Sequence, residues 1–209
     1  LGQSAGGRDL FLVTVVDSRK VASWYLREFD QMYEEGKYHG LKDKSPEMTI
    51  TLEDGAELQV MFSPQDKPIT NAVRPLIQKA KDRIDIGVFF LTHKHITRDL
   101  MEAHARGVKI RVILDATAAT NGYTKHELLR AAGIPVKVEN WGGKMHMKSA
   151  VIDGQHLITG SMNWTSAGEG GNDENTVIVH SEKLSRKYEA YFDRIWKSIS
   201  DKWLEARPR

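Results

Sequence analysis

Residues 146–163, His-Met-Lys-Ser-Ala-Val-Ile-Asp-Gly-Gln-His-Leu-Ile-Thr-Gly-Ser-Met-Asn, leave little choice but a β-hairpin. Asp153-Gly154 is a two-residue turn signal between runs of apolar and β-favouring residues. With that turn Ile152 pairs with Gln155, and counting back sets His146 opposite Ser161 and Lys148 opposite Thr159. Strand side chains alternate, so His146 and Lys148 share a face. Asn163 follows two residues beyond Ser161. An imidazole, an ammonium, a hydroxyl and a carboxamide therefore converge, which suits the handling of a phosphate.

The rest of the chain alternates in type. Leu10–Val16 reads as a strand, and 18–35 as an amphipathic helix with Val21, Trp24, Tyr25, Phe29 and Met32 at helical spacing. A polar connection through Gly36–Pro46 leads to Met48–Glu53 and Ala56–Phe62, which flank a second hairpin signal at Asp54-Gly55. A helix within Ile69–Arg83 is expected to start a few residues after Ile69, since Pro75 is best tolerated in a first turn. Strands at 84–90 and 108–114 enclose a helix at about 95–105 closed by Gly107. A helix at 124–132 precedes Gly133 and a strand at 134–139. After the central hairpin come a polar loop at 165–173, a strand at 174–180 and a long helix at 182–205. This alternation predicts an α/β fold, a mixed central β-sheet flanked by helices on both faces.

The two ends echo each other. Residues 18–33 and 181–196 share Ser, Lys, Tyr, Phe and Asp at one constant offset, each after a hydrophobic stretch. We read 1–47 as the tail of a preceding homologous half and 48–209 as the catalytic domain. The opening Leu-Gly-Gln-Ser-Ala-Gly-Gly has no Met or signal-peptide pattern, as in the interior of a longer protein.

Bulk properties narrow the function. With 209 residues, 40% hydrophobic and 28% charged, the chain can bury a sizeable core. A net charge of +2 permits polyanionic partners without demanding them. The absence of cysteine excludes disulfides, thiolate catalysis and cysteine-based zinc sites, and leaves the compartment unknown. No apolar stretch approaches the roughly 18 residues of a membrane span.

The pattern His-x-Lys-x4-Asp-x6-Gly-Ser-x-Asn at 146–163, continued by Asn172-Asp173-Glu174-Asn175-Thr-Val-Ile-Val, resembles the signature of the phospholipase D superfamily. From about residue 57 to 200 the order of segments is similar to that of the single-motif bacterial endonucleases, and the end-to-end echo to that of a two-motif member's second half. The resemblance implies a phospholipase D-like sandwich and a hydrolase cleaving phosphodiester bonds through a phosphohistidine. It also implies an active site of two facing His-Lys motifs. The second motif would come from a homodimer partner or an upstream fragment.

His146 is the expected nucleophile, since a neutral imidazole can attack phosphorus and split one hard displacement into two easier ones. Lys148 and Asn163 are assigned to the non-bridging phosphate oxygens, and Ser161 to support of the phosphate or the histidine. An ammonium so placed does the work of a metal, so neither metal nor other cofactor is required. The resemblance gives Glu174 the role of accepting a hydrogen bond from the far ring nitrogen of His146, as the acid of a catalytic triad does. Asp153 sits at the far end of the hairpin and is read as structural, as is Gly160. His93-Lys94-His95 is a weak metal signal. Trp141 can stack on a substrate or pack in the core, and Lys144 can extend the positive face or be solvated. Nucleic acid and phospholipid both remain as substrates, and so does a catalytically incomplete half that only binds phosphodiesters or its partner fragment.

Overall fold

The structure is a computed structural model describing residues 9–139 and 141–205. The expectations for residues 1–8 lie outside the described residues, as does residue 140. The strands are β1 (Thr49–Thr51), β2 (Glu57–Ser63), β3 (Arg83–Val88), β4 (Lys109–Leu114), β5 (Val136–Val138), β6 (Lys148–Ile152), β7 (His156–Gly160) and β8 (Glu174–His180). They form one sheet in the order β1-β2-β8-β7-β6-β3-β4-β5. The β3–β4 and β4–β5 pairs are parallel and the others antiparallel. The helices are α1 (Arg19–Tyr33), α2 (Arg74–Lys79), α3 (Lys94–Ala105), α4 (Ala116–Ala119), α5 (His126–Ala131), α6 (Ser166–Gly170) and α7 (Glu182–Ser198).

Alternation along the strands builds two cores. Ile84, Ile86, Val112, Leu114, Ala150 and Ile152 pack with Ile77 of α2, Ile96 and Leu100 of α3 and Leu129 of α5. Ile113, Val151, Val177 and Val179 face the other way, against Val21 of α1 and Tyr188 and Phe192 of α7. The mixed sheet thus carries helices on both faces, as the alternating pattern predicts. The echoed helices share a cap. Ser18 Oγ accepts from Val21 N–H at 3.3 Å, and Ser181 Oγ from Leu184 N–H at 3.4 Å.

Several local expectations are corrected. Leu10–Val16 is not a strand; Leu10 alone bridges Met145, and Val13 and Val15 are exposed, since no second partner lines up beside them. In α1 the buried residues are Val21, Glu28 and Gln31, while Tyr25 and Phe29 stay exposed. The buried Lys42 explains this rotation, because its ammonium pairs with Glu28 and Asp173 and donates to Ser63 O. Helix formation begins with a π-helical turn at Ile69–Val73, ahead of α2, which holds Pro75 in its first turn. The polar loop at 165–173 contains α6, capped by Thr165, and β4 runs into α4, capped by Asp115. Helix α7 stops at Ser198, short of 205. There Lys137 Nζ donates to the carbonyls of Trp196 (2.9 Å) and Ile199 (2.6 Å), satisfying the helix end.

The central hairpin also departs from the expected register. Gln155 N–H donates to Ile152 O at 3.0 Å, and Asp153 and Gly154 take φ of 53° and 63°, so the two-residue turn forms. Yet Ile152 pairs with His156, and Gln155 is left as a bulge whose carbonyl accepts from Ser181 N–H. The register is therefore shifted by one residue from the expected one, with Val151 opposite Leu157 and Ala150 opposite Ile158.

Candidate active site

One end of the sheet gathers the site. Val88 of β3 pairs with Lys148 of β6, Gly160 of β7 with Thr176 of β8, and Ser63 of β2 with Glu174 of β8. Phe89 continues the β3 ladder by donating its N–H to Met147 O at 2.9 Å. The His146 imidazole lies between two phenyl rings, Phe89 at 4.9 Å and Phe11 at 5.1 Å between centroids. Burial, and then the neighbouring Lys148, hold its pKa below the ordinary imidazole value, with Asp9 and Asp115 opposing. A half-buried imidazole kept neutral retains the lone pair a nucleophile needs.

Lys148 is only 8% exposed. Burial lowers its pKa to about 8, partly countered by the charges of Glu174 and Asp115. Its ammonium lies 5.3 Å from the centre of the Phe89 ring and donates to His146 O at 2.8 Å. That is its hydrogen bond among the described residues, and an ammonium has three donors. The remaining N–H groups are available to an anionic oxygen. A pocket of about 230 Å³ opens here, lined by Phe11, Leu12, His146, Lys148, Thr159 and Ser161.

Ser161 Oγ accepts from Asn175 N–H at 3.0 Å and Asn175 Nδ2 at 3.3 Å, which leaves its own proton to be donated. Tyr25 OH in turn donates to Asn175 Oδ1 at 3.3 Å. The Asn163 carboxamide oxygen is buried with no hydrogen-bond partner among the described residues, an unsatisfied group of the kind found at functional sites. Glu174 is half-buried and accepts from Asn172 Nδ2 at 3.2 Å. It makes no hydrogen bond to His146 among the described residues. Strand β7 lies between β8 and β6, so about 10 Å of sheet separates the two backbones. The charge of Glu174 favours the protonated form of Lys148, against the effect of burial.

The scaffold residues have defined work. Gly160 takes φ 146°, and a Cβ there would lie 2.2 Å from Asn175 O, so β7 and β8 can approach only at a glycine. Asp153 accepts from the backbone N–H groups of Lys81 (2.9 Å), Asp82 (2.9 Å) and Arg83 (3.0 Å), tying the hairpin tip to the start of β3. His93 caps α3, with Nδ1 accepting from Ile96 N–H and Nε2 3.6 Å from Glu169. Among the described residues no cluster of three or more His, Asp or Glu could hold a metal. The Lys144 ammonium contacts Thr117 Oγ1, and Trp141 packs on the core beneath α7.

Two buried carboxylates were not anticipated as site residues. Asp115 accepts from Ala118 N–H and Met145 N–H, both at 3.0 Å. Glu139 accepts from Ala116 N–H and Trp141 N–H, both at 3.1 Å, and burial pushes its pKa up to about 7. Together they staple residues 141–145, the approach to His146. The signal was present as an acid closing each of two apolar runs, Val108–Asp115 and Ile134–Glu139. Phe11 and Phe89 carried no signal beyond hydrophobicity.

Comparison with known proteins bears on the family and the fold. The family described as "Cardiolipin synthase, PLD-like domain" matches residues 73–196. The chain is 32% identical over 135 residues to mitochondrial cardiolipin hydrolase of Homo sapiens, covering 65% of this chain and 53% of that protein. It is 34% identical over 119 residues to phospholipase D of Rickettsia conorii, covering 57% and 60%. The chain thus spans a little over half the length of the curated relatives it matches. Among solved structures, the phospholipase D family member Nuc of Salmonella typhimurium superposes with a TM-score of 0.63 at 25% identity, covering 69% of this chain and 97% of that one. NucT of Helicobacter pylori shares the fold, with a TM-score of 0.65 at 20% identity over 69% and 98%. With its His-Lys hairpin, its mixed sheet and the match over residues 73–196, the chain belongs to the phospholipase D superfamily.

Proposed function

We propose that the chain is a metal-independent phosphodiesterase that works through a phosphohistidine on His146. The observation that carries this reading is that a neutral-held imidazole and a buried ammonium open onto one pocket. A ring nitrogen of His146 bonds to phosphorus as the bond to the leaving oxygen breaks, and that oxygen takes a proton from a second acid. Water, giving its proton to the conjugate base of that acid, then bonds to phosphorus as the N–P bond breaks, which restores the imidazole and the acid. Lys148, Ser161 and Asn163 hold the non-bridging oxygens, where charge builds in the transition state. The substrate is a nucleic acid or a phospholipid: relatives named as a phospholipase D and a cardiolipin hydrolase support the phospholipid class, and the resemblance of the 57–200 segment order to the single-motif endonucleases supports the nucleic-acid class.

The second acid comes from another His-Lys motif, in a second copy of the chain or in a preceding half whose tail is residues 1–47. The matched serine caps of α1 and α7 support that duplicated origin. A second reading rests on the sequence holding one His-x-Lys motif: the chain is an incomplete half that binds phosphodiesters or a partner fragment.

Hydrolysis of a chromogenic phosphodiester in excess chelator tests the first reading, with wild type compared with His146→Ala. Chelator-resistant turnover lost in the variant supports it, and equal turnover removes it. Phosphodiester binding without turnover selects the second.

A further inference from the structure

We propose that Phe11 is a positioning residue for His146, delivered by residues 9–12, which dock through the single β-bridge of Leu10 to Met145 beside the approach to the nucleophile. The proposal rests on His146 being that nucleophile.

Leu10 N–H donates to Lys144 O at 2.7 Å, and His146 N–H donates to Leu10 O at 3.0 Å, a parallel bridge centred on Leu10 and Met145. Asp9 Oδ1 accepts from Lys144 N–H at 2.9 Å and fixes the start of the segment. The backbone from Lys144 to the N–H of His146, the stretch that leads into the nucleophile, is therefore held by chain from more than a hundred residues upstream. Phe11 follows the bridge, and its ring meets the imidazole edge-on at an interplanar angle of 66°. Phe89 closes the other contact at 58°. No hydrogen bond to the His146 ring is present among the described residues, so these two rings are what restrict its rotation. Val13 and Val15 are exposed, and the segment meets the core again at Val16.

The charged groups that act on His146 are Lys148 and Lys144 on its own segment, Asp9 on the docked segment and Asp115 at the end of β4. Phe11 adds no charge and changes only water access and orientation. Removing its ring should admit water to the imidazole and raise the His146 pKa, because burial is the largest cause of its depression.

The test is an NMR titration of the His146 ring C–H in the full chain for wild type, Phe11→Ala and Phe11→Tyr, alongside hydrolysis of a chromogenic phosphodiester. Phe11→Ala should shift the His146 midpoint upward and lower kcat about tenfold with KM little changed. Phe11→Tyr, which keeps the ring, should restore both. An unchanged midpoint in Phe11→Ala, or a Tyr variant that behaves like Ala, overturns the proposal. A rise in kcat in Phe11→Ala also overturns it and makes the segment an obstruction. The titration needs no turnover, so a failure of the Phe11 contact is distinguished from a failure of the phosphodiesterase reading. Amide-exchange protection at His146 in each variant verifies that residues 9–12 remain docked.

Discussion

The Lys148 ammonium donates a 2.8 Å hydrogen bond to the main-chain carbonyl of His146, two residues before it. The two groups expected to meet the phosphate are thereby linked through the backbone of one of them. Any displacement of this strand moves imidazole and ammonium together, and their spacing is kept by local geometry more than by distant packing.

Lys148→Met should raise stability while removing activity. Burial lowers the Lys148 pKa to about 8, from about 10.4 for a free lysine. Below pH 8 both folded and unfolded chains carry the charge, and the folded state bears its desolvation. Between 8 and 10.4 the unfolded chain binds more protons, so this penalty fades as pH rises. The variant should gain about 2 kcal/mol at pH 7, seen as a rise of several degrees in Tm, and lose about 10³-fold in kcat/KM. A melt and a hydrolysis assay on the same sample check both.

The pH–rate profile should be bell-shaped. The nucleophile must be neutral, and the His146 pKa lies below the ordinary imidazole value, so activity should persist to lower pH than an unperturbed histidine would allow. The ammonium must be protonated, so activity should fall as pH rises through about 8. In Lys148→Arg the alkaline fall should disappear from whatever rate remains, since a guanidinium does not titrate there.

Gly160→Ala should be among the most damaging small substitutions in the sheet. The new Cβ meets Asn175 O at 2.2 Å and the residue must also hold φ 146°. A loss of about 3 kcal/mol or more in urea unfolding is expected, against a few tenths for Gly170→Ala, where nothing lies within 4 Å.

Asp153→Ala should cost stability without touching the chemistry. It removes the acceptor for three backbone N–H groups at the start of β3, a loss of about 1–3 kcal/mol. The kcat of the folded fraction should stay near wild type, because the hairpin tip lies at the opposite end from His146. Urea unfolding and turnover corrected for folded protein separate the two effects.

Much of this was legible before any coordinates. The 174–180 strand and the Gly107 stop follow from short-range signals, namely alternation and positive-φ glycine, and each acts within a few residues. The hairpin turn at Asp153-Gly154 was readable for the same reason. Its register was not, because the bulge at Gln155 is held by Ser181, which arrives from another strand. The exposed face of α1 was missed likewise, since Glu28 is buried for the sake of Lys42 and Asp173.

The sequence determined the chemical groups at 146–163, the hairpin that presents them and the family they belong to, because motif spacing and local backbone preference are properties of neighbouring residues. Tertiary structure alone decided which groups meet. It set Glu174 two strands away from His146, gave the imidazole Phe11 and Phe89 as neighbours, and made Asp115 and Glu139 the staples of its approach. Those contacts join residues far apart in the chain, and they depend on strand order and on the packing of distant segments against the sheet, which no short window of sequence encodes.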